Sequence, residues 1–237
     1  MENTTLTTAR PVSKLSAEER RAAIVKAVRR VFAERGFHGT TTRELAEAAG
    51  VSEALLFKHF PNKEALYTAM QKACCHAQDP AIERLKALEP STSTLVILVQ
   101  FLVTKKIVGN ANCDEDDAIQ MRIMMQSILE DGEFARLQLN QLASGWVTKI
   151  EQCVKSAVDA GDVCADPVSA GLAAWFIHHV AATVMQHLRP ATPIVDYRAS
   201  REELVEQTVL FALRGLGLKE EAIKRYYNPK ALMLLEK

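Results

Sequence analysis

The chain has 237 residues, enough for one large or two modest domains, and its 48% hydrophobic and 24% charged content is that of a soluble globular protein. Its 29 basic and 29 acidic residues cancel, but unevenly: up to Lys72 there are 12 basic against 8 acidic side chains, a cationic first third on an anionic remainder. The most apolar run, Leu95–Val103, contains Gln100 and is far shorter than the roughly twenty residues of a membrane span, and the polar start MENTTLTTARPVSKLS lacks the apolar segment of a secretory signal.

In chain order, residues 1–15 read as a flexible arm. Ser16-Ala17-Glu18-Glu19 is a capping box. Ile24, Ala27, Val28, Val31 and Phe32 follow at helical spacing, and Gly36 is placed to end that helix. The stretch Thr41–His59, TTRELAEAAGVSEALLFKH, reads as two short helices joined at Ala49-Gly50-Val51. Thr41 and Glu44 form a second capping box, Ser52 caps the second short helix, and Asn62 caps the next one. That next helix carries Leu66, Ala69, Met70 and Ala73 on one face and breaks near Asp79-Pro80. After a short helical piece ended by Pro90, helices are expected over about 94–108, 115–130 and 133–160, with Gly109, Gly132 and Gly161 as stops. Asp166-Pro167 opens a further helix to about Leu188, and Ser200-Arg201-Glu202-Glu203 opens one to about Arg214; a short tail helix lies around Ala222, Ile223 and Tyr226. No segment alternates with period two, so the fold class is all-α, with about nine or ten helices and no repeat. The helices at about 167–188 and 201–214 are apolar around their circumference and must be covered on every side, either by the chain itself or partly by a second subunit.

Two short helices around a glycine turn form the pattern of a helix-turn-helix, whose second helix enters the DNA major groove. Gly50 supplies the turn, and Leu45, Ala46, Val51 and Leu56 close a small core. Thr41 and Thr42 stand at a helix start, where hydroxyls and free amides suit phosphate oxygens. On the second helix Glu53, Ala54, Leu55, Phe57, Lys58 and His59 are the candidates to face DNA. Leu55 can contact a thymine methyl; Glu53 can accept from a cytosine amine or support the helix start. Lys58, His59 and Lys63 suit phosphates.

These residues resemble the tetracycline-repressor-like (TetR) family of bacterial transcription regulators. The resemblance runs without gaps from Ile24 to Leu66, carried by FAERGF (32–37), TTTRELA (40–46), AGVS (49–52) and LFKHFPNKEAL (56–66). It implies that Arg43 reaches a base edge or a phosphate. The chain departs from the family where small or hydroxylated residues commonly stand at Leu55 and tyrosine at Phe57. The resemblance further implies a helix-turn-helix domain over 16–62 and a helical ligand-binding and dimerisation domain over 63–237. The protein expected is a cytoplasmic two-fold homodimer, a repressor released from a near-palindromic double-stranded DNA operator by a small, mainly apolar effector. The alternative is a DNA-binding regulator without such a ligand, controlled by a protein partner or by thiol oxidation.

Elsewhere the residues suggest less. Phe101, Met121, Met125, Trp146, Trp175, Phe176 and His179 are the candidates for an effector pocket, since thioethers and aromatic rings suit varied apolar molecules. Cys74-Cys75-His76 cannot converge on a metal, because helix neighbours point about 100° apart and no spaced partner exists. The remaining cysteines, Cys113, Cys153 and Cys164, bring the total to five, an odd number that reads as reduced thiols. Asp114–Asp117 reads as a solvated helix start. No cofactor, metal or catalytic constellation is patterned, so an enzyme is not expected.

Overall fold

The structure is a computed structural model that describes residues 15–75, 80–109, 115–164 and 168–229. Among the described residues every regular element is helical, and the one extended contact is the isolated antiparallel bridge between Val163 and Leu218. The chain divides into two compact units, Met1–His76 with Ile119–Gln126, and Ala77–Ala118 with Ser127–Lys237.

The first unit is built on helices whose starts are locally determined. α1 (Ala17–Arg35) opens on the expected capping box: the Ser16 amide donates to the Glu19 carboxylate at 2.8 Å, and the Ser16 hydroxyl accepts from the Glu19 amide at 3.2 Å. It ends at Gly36, whose φ is +68°. α2 (Thr42–Ala48), α3 (Glu53–His59) and α4 (Lys63–Cys75) follow. α1 packs on all three, burying Ile24, Val25, Val28, Phe32 and Ala33 against Leu45, Ala46, Leu56, Phe60, Leu66 and Met70. The buried stripe of α1 thus includes Val25 and Ala33, whereas Ala27 and Val31 of the expected stripe are half-buried, as is Val51. The rings of Phe32 and Phe37 close on Tyr67 at 4.9 and 5.1 Å.

The second unit contains α5 (Pro80–Ala87), α6 (Thr92–Ile107), α8 (Glu133–Leu142), α9 (Thr148–Asp159), α10 (Ala170–Leu188), α11 (Arg201–Gly215) and α12 (Glu220–Tyr226). α7 (Glu115–Leu129) contributes Ile119–Gln126 to the first unit and its two ends, 115–118 and 127–129, to the second. α6 is the central helix. Leu95, Val96, Leu98, Val99, Phe101, Leu102 and Val103 bury successive sides of it against α9, α10, α11 and α12.

Three expectations are corrected here. The single helix expected over 133–160 is α8 and α9 joined by a π-helical turn, Ala143–Val147, around Gly145 and Trp146. α10 begins at Ala170, after non-helical Val168 and Ser169, later than the Asp166-Pro167 start. The helix buried all round is α6; α10 and α11 leave Leu172, Phe176 and Phe211 more than half exposed.

Asp162 ties three element ends together: its carboxylate accepts from the Thr92 hydroxyl at 2.7 Å, and its carbonyl accepts from the Lys219 amide at 2.9 Å. The arm at 1–14, His76, Asp79, Cys113, Asp166-Pro167 and the side chains of Cys74, Cys75 and Asp114–Asp117 lie outside the described residues.

Candidate functional site

Gly50 makes the turn between α2 and α3 with φ +63°, a left-handed conformation that costs glycine little. A Cβ placed there would meet no atom within 4 Å, so conformation and not space selects the residue. The Gly50 amide donates to the Glu47 carbonyl and the Val51 amide to the Ala46 carbonyl, closing the end of α2. Ser52 then restarts the chain as a helix, its hydroxyl accepting from the Leu55 amide at 3.2 Å.

Leu56 is the buried anchor of α3, and it fixes which side faces out. Glu53, Ala54, Phe57 and Lys58 are exposed, Phe57 to 43% of its surface, whereas Leu55 and His59 are half-buried on the flank. The Thr42 hydroxyl donates to the Glu53 carboxylate at 2.8 Å and pins the start of α3 to the start of α2. Thr41 serves the second capping box. Its amide and hydroxyl both donate to the Glu44 carboxylate at 2.9 Å and, with Arg35 close by, hold that carboxyl below its ordinary range. Arg43 pairs with Glu47 at 3.0 Å, but both side chains are in water, where such a pair contributes little.

Lys63, at the start of α4, is not free-standing. Its ammonium donates to the Thr40 carbonyl at 2.7 Å and lies 4.4 Å from the Phe37 ring centre. Asn62 caps this helix as expected, accepting from the Ala65 amide at 2.8 Å. Sequence reasoning missed Arg21: its guanidinium lies 4.1 Å over the Phe60 ring and donates to the His59 carbonyl at the end of α3. Nothing local marks a contact between residues 38 positions apart. Thr41, Thr42 and Arg43 stand together at the start of α2, which the Thr42–Glu53 hydrogen bond joins to the start of α3.

The residues named for an effector pocket are divided between the two units. Met121 and Met125 are half-buried in the first unit. In the second, Phe101 stacks on Trp146 at 5.9 Å within the core. Trp175 stacks on the exposed His179 at 5.8 Å, and His178 meets both rings edge-on. His178 is buried, and its Nδ1 has no hydrogen-bond partner among the described residues. Burial, then Lys106 and His179, push its pKa down to about 3. Gln100 is similar: its Nε2 donates to the Pro229 carbonyl at 3.0 Å, but its buried Oε1 has no partner among the described residues. Phe176 and His179 both line an open groove of about 400 Å³ between α10 and α11, with Ile177, Val180, Phe211 and Ala212.

Among the described residues no group of three or more His, Cys, Asp or Glu could hold a metal ion, and no helix is long and apolar enough to cross a membrane. Cys153 is buried, and burial pushes its thiol up.

Residues 24–70 match the family of bacterial regulatory proteins, tetR family. The chain is 34% identical over 99 residues to the HTH-type transcriptional regulator RutR of Escherichia coli (strain K12), a match covering 42% of this chain and 44% of RutR. It is 41% identical over 61 residues to the HTH-type transcriptional repressor AcnR of Corynebacterium diphtheriae, covering 26% and 32% of the two chains. These matches thus span less than half the length of either relative. Among solved structures, AibR in complex with isovaleryl coenzyme A and operator DNA shares the fold, with a TM-score of 0.58 at 18% identity, over 85% of this chain and all of the AibR chain.

Proposed function

We propose that this chain, whose residues 24–70 belong to the tetR family of bacterial regulatory proteins, is a cytoplasmic, effector-responsive DNA-binding transcription regulator, a repressor and not an enzyme. The observation that carries this reading is the Gly50 turn presenting α3 outward, with Ala54, Phe57 and Lys58 exposed and Thr41, Thr42 and Arg43 beside them. In this reading α3 enters the major groove. Thr41, Thr42, Arg43 and Lys58 meet the backbone or base edges, His59 a phosphate from the flank, and Lys63 a phosphate from its seat on Thr40 and Phe37. Glu53 supports the start of α3 through Thr42, which favours its structural role over base reading.

The exposed Leu172, Phe176 and Phe211 and the groove between α10 and α11 support a two-fold homodimer through those helices. Two α3 helices then meet a near-palindromic operator at half-sites about 34–36 Å apart or a multiple of that. The buried, unsatisfied His178 Nδ1 and Gln100 Oε1 support an effector with a polar group beside an apolar body, because such atoms are costly unless a partner reaches them. An acyl compound is the first class to try, given the isovaleryl coenzyme A bound to AibR. The effector lowers DNA affinity by favouring a conformation with the wrong half-site separation, and DNA lowers effector affinity by the same factor.

The test is selection of bound sequences from random duplexes with the purified full chain, repeated with a panel of acyl compounds. Recovery of a near-palindrome whose binding an acyl compound weakens is the expected result. Failure to retain any duplex at low salt, with or without compounds, overturns the reading.

A further inference from the structure

We infer that Phe57, with Ala54 beside it, reads the 5-methyl groups of thymines, so that the operator half-site is selected by apolar contact more than by hydrogen bonds from α3. The inference rests on the DNA-binding reading above and names the feature of the duplex that the same site selects.

Few donors are available on this helix. Glu53–His59 contains no Arg, Asn, Gln, Ser, Thr or Tyr, so the bidentate readings of guanine by arginine and of adenine by asparagine or glutamine cannot come from α3. Glu53 is an acceptor, and one of its oxygens already takes the Thr42 hydroxyl. His59 is half-buried on the flank. Lys58 is the one donor on the outward face, a flexible point charge that suits a guanine or a phosphate and cannot tell A·T from T·A.

Apolar surface is what the outward face does offer. Phe57 is 43% exposed, and Ala54, one turn earlier, is exposed beside it. The ring is held on a short helix fixed at three points: Leu56 in the core, the Thr42–Glu53 hydrogen bond at its start and the Arg21 contact at its end. An aromatic side chain with two rotatable bonds on such a mount loses little entropy on binding. The major-groove edge of a base pair carries one apolar group, the thymine methyl, and Ala and Phe are side chains that contact it. Leu55, the residue that sequence alone put forward for this contact, is half-buried on the flank.

The experiment uses the duplex recovered by selection, with each thymine of a half-site replaced in turn by uracil, which removes only the methyl. Dissociation constants are measured at fixed salt for the wild-type chain, Phe57→Ala and Leu55→Ala. Uracil is expected to weaken wild-type binding about fourfold at one or two adjacent positions, the value of one buried methylene-sized group, and roughly fifteenfold when both half-sites are changed. The thymine-to-uracil ratio should fall to one in Phe57→Ala and persist in Leu55→Ala. Because Phe57 is exposed, its variant should melt like the wild type. Operator binding that is indifferent to uracil everywhere overturns the inference but leaves DNA binding standing, as does a ratio that survives in Phe57→Ala or vanishes in Leu55→Ala. If no duplex is recovered, the DNA-binding reading falls and takes the inference with it.

Discussion

The replacement of Phe211 by alanine tests the proposed two-fold homodimer. Phe211 is 66% exposed at the α10–α11 groove, so its removal takes little from the protomer's own core. Full burial of a phenylalanine side chain contributes about 1.5–3 kcal/mol, and covering the two thirds left in water contributes about 1.5 kcal/mol per protomer. A two-fold interface uses the residue twice, so the dimer should lose about 3 kcal/mol, or roughly a hundredfold in its dissociation constant. Sedimentation equilibrium over a concentration series reads this directly, with thermal melting as the check on the fold. Leu129 is a control, since it is 85% exposed at the end of α7 and does not line the α10–α11 groove; Leu129→Ala should leave association unchanged. An unchanged dissociation constant for Phe211→Ala, or a wild-type chain that stays monomeric at micromolar concentration, would refute the dimer reasoning.

Two further outcomes are expected. Arg43→Ala should weaken operator binding and reduce the slope of log affinity against log salt by about one; an unchanged slope removes Arg43 from the phosphate contacts. His178 keeps its neutral form down to about pH 3 in the folded chain, while an ordinary histidine takes a proton near 6.5. Between those values the unfolded chain binds more protons, so stability is complete above about pH 6.5 and falls as the pH drops. The loss from pH 7 to pH 5 should be about 2 kcal/mol by urea unfolding, and His178→Leu should flatten that part of the profile. Parallel profiles for the two proteins would rule His178 out as the source.

Much of this fold is written in short-range chemistry, and that part was legible. Ser16, Thr41, Ser52 and Asn62 cap helices because each side chain reaches an amide three residues on. Gly50 and Gly36 declare positive φ for the same local reason. The match over residues 24–70 agrees with the segment from Ile24 to Leu66 whose motifs resembled the family. Long-range facts were not legible. Periodicity shows that Leu172, Phe176 and Phe211 are apolar but not that the chain leaves them uncovered while it wraps α6. The methionines Met121 and Met125 and the tryptophan Trp146 look alike as apolar residues, yet the fold divides them between two units. The contact between Arg21 and the end of α3 joins residues that no turn or helix spacing relates.

The π-helical turn at Ala143–Val147 makes one stretch of the second unit unusually forgiving. A wide turn holds one residue more than an α-turn. Deleting a single residue from an ordinary helix rotates everything after it by about 100° and swings its apolar side into water. Deleting Ser144 or Gly145 does the reverse: it relaxes the bulge into regular helix and leaves Ile150, Cys153, Val154 and Ala157 aimed at the core they now fill. The surplus residue instead sets where the Trp146 ring lands against Phe101, so a shortened chain keeps its shape and gives up that stack.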